Sequence, residues 1–136
     1  IKINRKVEYA LMALKYILDH GDERVSVREI SDKLAIPFDT TSNVFQKLKR
    51  NNLAVSIQGV SGGYSLSEKI NELSFLELSE IIEDKKFYED CEDKNCSYLG
   101  NCNIQSPIKN LNKQLHETFN NLKVMDLIQQ ESSVEY

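Results

Sequence analysis

The chain has 136 residues, 40% of them hydrophobic and 28% charged, with a formal net charge of −4. Such a length predicts one domain with a modest core and an element to spare for assembly; no apolar run nears the ~20 residues of a membrane span, and the first twenty residues lack the basic-then-apolar layout of a secretion signal. A cytoplasmic protein is expected. The charge is uneven, since residues 1–66 carry ten Lys or Arg against seven Asp or Glu and residues 67–136 carry seven against fourteen. Either both halves present solvated faces, or the basic front half attracts a polyanion that the acidic back half repels.

The first helix is expected from Asn4 as N-cap, with Val7, Ala10, Leu11, Leu14, Ile17 and Leu18 at helical spacing and Asp19-His20-Gly21 closing it. Ser26-Val27-Arg28-Glu29 has the form of a capping box, opening a short second helix buried through Val27, Ile30 and Leu34. Ala35-Ile36-Pro37-Phe38 turns the chain, and Asp39 is placed to cap a third helix with Thr41, Val44, Phe45 and Leu48 inward. Two short helices about a tight turn, the second with a polar outer face, form a helix-turn-helix. Residues 53–57 and 64–66 then form two strands around the glycine-rich tip 58–63, either a plain hairpin or, directly behind a helix-turn-helix, a wing.

Ser74-Phe75-Leu76-Glu77 is a second capping box, and its helix turns Phe75, Leu78, Ile81 and Ile82 back toward the winged domain. Periodicity is lost over 84–105. Ser106 is placed to cap a last helix with Pro107 at its first position. Along it Ile108, Leu111, Leu115, Leu122 and Met125, widened by Phe119, form a stripe that a partner subunit or the chain's own domain would bury. The fold class is mainly α with a small β wing. Residues 1–84 are the expected winged helix-turn-helix domain, 85–105 a cysteine loop, 106–128 a dimerisation helix and 129–136 a polar tail.

Cys91, Cys96 and Cys102 are the three cysteines of the chain. Three thiols so close together in an acidic, turn-rich segment suit an iron-sulfur cluster or zinc, because thiolate selects those metals. In a reducing compartment metal binding or thiol redox is favoured over a disulfide framework. Catalysis is not expected: no nucleophile and base stand at recognisable spacing, and His20 and His116 suit a helix end and a polar helix face.

Lys2-Ile3-Asn4-Arg5 with Glu8-Tyr9-Ala10-Leu11, Ile30-Ser31, the run from Phe45-Gln46-Lys47 to Asn52-Leu53, Gly59-Val60-Ser61-Gly62-Gly63-Tyr64-Ser65-Leu66 and the late cysteine triad together resemble the Rrf-two family of bacterial transcription regulators. The resemblance covers nearly the whole chain. It implies a homodimeric winged helix-turn-helix repressor or dual regulator that binds a palindromic double-stranded operator and pairs through its C-terminal helix. Cys91, Cys96 and Cys102 would then be ligands of an iron-sulfur cluster, two-iron or four-iron, although the first interval is short for the family. IscR-like members place a histidine where this chain has Gln105. NsrR-like members use a carboxylate on the first helix of the other subunit, a place held here by Glu8, so Glu8 is the candidate fourth ligand. A cluster-free regulator controlled by thiol redox, zinc, a metabolite or a partner protein is the alternative, and a small iron-sulfur redox protein a third.

DNA reading divides by chemistry. Lys2, Arg5, Arg28, Lys47, Lys49 and Arg50 are candidates to neutralise phosphates, which brings salt dependence but little sequence choice. Thr40, Ser42, Asn43 and Gln46 are candidates for base edges, Asn and Gln being suited to adenine. At the wing, Gln58 stands where the family often has an arginine, so the attraction of a narrow minor groove is weaker.

Overall fold

A computed structural model describes residues 2–20, 24–59, 62–86 and 100–130. Helix α1 spans Arg5–Asp19, and Asn4 caps it by accepting the Lys6 N–H at 2.8 Å. Val7, Ala10, Ala13, Leu14 and Ile17 form its buried face. Leu11 and Leu18, expected in that face, are only half-buried, and Ala13 takes the fully buried place because a methyl group admits a neighbouring helix closely.

Helix α2 (Val27–Leu34) begins where Ser26 Oγ accepts the Glu29 N–H. The Glu29 carboxylate does not complete the box; it accepts the Tyr16 hydroxyl at 2.7 Å and so ties α2 to α1. Ala35 ends α2 with a left-handed φ of 54°, and Ser31 Oγ donates to the Ile36 carbonyl at 2.6 Å to hold the turn. Helix α3 spans Phe38–Arg50 with Pro37 at the N-cap position, so Asp39 is not its cap. The Pro37 carbonyl accepts both the Thr41 N–H and the Thr41 hydroxyl. Asp39 therefore falls in the first turn, where a negative charge still opposes the positive end of the helix dipole.

Strands β1 (Ala54–Ile57) and β2 (Gly63–Leu66) pair antiparallel, with Ala54 opposite Leu66 and Ile57 opposite Gly63. Val25, just before α2, exchanges both backbone bonds with Tyr64 and fastens the hairpin to the helices. Gly63 makes this possible: a Cβ there would stand 2.7 Å from the Val25 carbonyl oxygen. On the other side, Phe45 of α3 stacks on Tyr64 with ring centroids 4.9 Å apart.

A 3-10 turn, Glu68–Glu72, not foreseen from the periodicity, leads to α4 (Phe75–Glu83). Ser74 caps α4 by accepting the Glu77 N–H and also donates to Asn120. The helix expected over 106–128 is two helices, α5 (Gln105–Asn121) and α6 (Val124–Ile128). Its start is Gln105, so Ser106 is not the cap and Pro107 falls third, still within the turn whose N–H groups lack helical acceptors. Between α5 and α6, Leu122 and Lys123 are extended and pair with the chain before α4: Phe75 N–H donates to the Leu122 carbonyl at 2.7 Å and Val124 N–H to Leu73 at 2.9 Å. The first donor of α4 thus gains its acceptor from the break. Val124 and Ile128 enter the core with Phe45, Leu14, Ile30, Leu48, Leu78 and Ile82, while Phe119, Leu122 and Met125 pack against it. That half of the apolar stripe packs on the chain's own domain.

Candidate nucleic-acid interface and cysteine segment

Burying Thr41, Val44, Phe45 and Leu48 fixes the rotation of α3, so Asn43, Gln46, Lys49 and Arg50 are turned to solvent. Thr40 and Ser42 flank this stripe, half-buried. Amide groups near the middle of the face and cations in its last turn give hydrogen-bonding capacity beside positive charge, as groove reading with backbone anchoring requires. Arg28 lies in the first turn of α2 and sets its guanidinium 4.2 Å over the ring of the exposed Phe38 at the start of α3. The stacking holds the cation at the mouth of the helix-turn-helix. Gln58 is exposed at the hairpin tip, next to Gly59 with its φ of 119°.

Lys47 departs from this pattern. Its ammonium donates to the Ile82 carbonyl at 2.7 Å and pairs with the Asp84 carboxylate at 2.9 Å, leaving its side chain 20% exposed. Lys2 precedes α1 and Arg5 opens it, both exposed, and Arg5 pairs with Glu8 across one turn at 3.5 Å. That exposed pair is weak, on the order of 0.2–1 kcal/mol, so Glu8 can exchange its partner at little cost. His20 ends α1 with its ring stacked on Tyr16, and the hydrogen bond from Tyr16 to Glu29, aided by burial and by the carboxylate charge, raises the pKa of the phenol.

Cys102 is half-buried three residues before α5 and carries a free thiol. Cys91 and Cys96 lie outside the described residues. Among the described residues no cluster of three His, Cys, Asp or Glu side chains could hold a metal. No described helix is long and apolar enough to cross a membrane.

The profile of the family described as "Rrf2: Iron-dependent Transcriptional regulator" matches residues 3–130. The chain belongs to the Rrf2 family. Its relatives are transcription regulators rather than enzymes, and its helix-turn-helix with a two-stranded wing is the fold of Rrf2 DNA-binding regulators. A putative HTH-type transcriptional regulator, ORF2 of Azotobacter vinelandii, is 26% identical over 130 residues, covering 94% of this chain and 79% of the relative. Among solved structures, oxidised CymR of Staphylococcus aureus superposes with a TM-score of 0.73 at 17% identity, covering 98% of this chain and 100% of that one. T. potens IscR superposes with a TM-score of 0.70 at 18% identity, covering 100% and 93%.

Of the residues singled out in the sequence, the fold gathers Asn43, Gln46, Lys49 and Arg50 on one Rrf2 surface and sends Lys47 elsewhere. Asp84, which takes up Lys47, has no local signal: the two are 37 positions apart and only the packing of α3 on α4 brings them together.

Proposed function

We propose that this Rrf2 regulator is a homodimer whose grip on a palindromic operator depends on an iron-sulfur cluster. Cys91, Cys96 and Cys102 of one copy would hold the cluster with Glu8 from α1 of the other copy. The donor set supports this: three thiolates suit iron, and the carboxylate has only a weak, exposed partner to leave. The observation that carries the reading is the polar and cationic face of α3 set beside a wing, in a chain whose family is described as iron-dependent.

A cluster there supplies a redox-sensitive and exchangeable centre. The protein's own part is to present α3 of each copy to successive major-groove faces, ~34 Å apart along the duplex or a multiple of it. Lys49 and Arg50, with Lys2, Arg5 and Arg28, anchor on phosphates, and Asn43 and Gln46, flanked by Thr40 and Ser42, read base edges. Gln58 contributes hydrogen bonding at the wing but no charge.

Anaerobic purification tests the cofactor. A coloured protein with iron and sulfide is expected, and Cys96→Ala should lose both. A colourless wild type without iron contradicts the cluster and favours the cluster-free, thiol-controlled reading, to which the likeness to oxidised CymR lends support.

A further inference from the structure

We propose that Lys47 is a positioning residue for operator reading, a clamp that sets the rotation of α3 against α4, and not a phosphate contact. The inference rests on the operator binding proposed above. Ile82 lies in the last turn of α4, where carbonyls lack helical donors, and the Lys47 ammonium fills that vacancy at 2.7 Å while opposing the negative end of the helix dipole. Asp84 is the C-cap of α4, with a left-handed φ of 54° that turns its carboxylate back to within 2.9 Å of the same ammonium. One cation thereby closes a helix end and an ion pair together.

The placement bears on reading because Lys47 stands one residue after Gln46 and four after Asn43 on α3. A small turn of the helix about its axis would carry both amides off the base edges, and the clamp joins α3 at the level of those amides to a separate helix. The other end of the clamp is equally placed: Asp84 lies seven positions before Cys91, on the chain that leads into the cysteine segment.

The test uses an operator recovered by selecting random-sequence duplexes with the wild-type full chain, and then titrates wild type, Lys47→Met, Asp84→Asn and the double variant at several salt concentrations. Loss of a partly exposed charge pair with its hydrogen bond is expected to weaken operator binding about threefold to tenfold. Each single variant should do so with the salt slope of the wild type, and the double variant should be no weaker than Lys47→Met alone. A phosphate contact would instead lower the slope by about 1.8 in Lys47→Met, about 0.9 for each copy of the homodimer, while Asp84→Asn left affinity unchanged or raised it; that result overturns the clamp. Should Lys47→Met fail to fold, Asp84→Asn decides the matter alone, since its side chain is 69% exposed. A wild type that selects no operator would refute operator binding itself, a failure distinct from an altered slope.

Discussion

Asn43 and Gln46 differ from Lys49 in what their loss should do, although all three are exposed on one helix. Removing an amide that pairs with a base edge costs about 1–3 kcal/mol of discrimination at one base pair, so Asn43→Ala or Gln46→Ala should flatten preference at one position of each half-site. Lys49→Ala should weaken every duplex alike and lower the salt slope by about 1.8, one phosphate contact being lost from each copy of the dimer. Titrations against single-base-pair operator variants at several salt concentrations separate these patterns; a uniform loss for Asn43→Ala and Gln46→Ala would remove them from base reading. At this scale much was legible, because a cap is a local event: Asn4, Ser26 and Ser74 each accept the backbone donor that their position in the sequence suggests. Asp39 misled because a good cap residue stood near a helix start whose backbone geometry was already set by Pro37. The contacts of Lys47 were hidden for the opposite reason, its partners being distant in sequence.

Among the elements, α5 buries no residue completely, and Leu111 is 48% exposed beside a half-buried Ile108. A second copy covering this stretch would explain an apolar stripe on a helix that is otherwise polar. Leu111→Glu is expected to shift the protein from dimer to monomer in sedimentation equilibrium with little change in melting temperature, because the side chain contributes little to the monomer's own core. A variant that stays dimeric would place the subunit contact elsewhere. Periodicity revealed α1 to α4 and the hairpin, since their buried faces repeat at the spacing of the element itself. It ran straight through Leu122 and Lys123, where no glycine or proline marks a break and the extended pair forms only because Leu73 and Phe75 lie alongside. Helix spacing in the sequence therefore suggested one long seam where the fold has an exposed half and a half returned to the core.

For the whole molecule, the division of charge along the chain is not a division of surface: α3 carries Lys49 and Arg50 toward solvent, while the acidic second half supplies Glu83 to the Asn4 amide and Asp84 to Lys47 and sets Glu77, Glu80 and Asp84 in one cleft with Arg50. The fold class was open to sequence reasoning because patterning and family resemblance agreed. The proposed cofactor site was legible only as a set of thiols in the sequence, since Cys91 and Cys96 lie outside the described residues and Cys102 stands beside α5. The account depends on a link between that set and the reading face. The most direct measurement is an anaerobic mobility-shift titration of wild type and Cys96→Ala on the same selected operator, with folding of both checked by circular dichroism. Weaker operator binding by a folded Cys96→Ala is the predicted result, and equal affinity of the two proteins would contradict it.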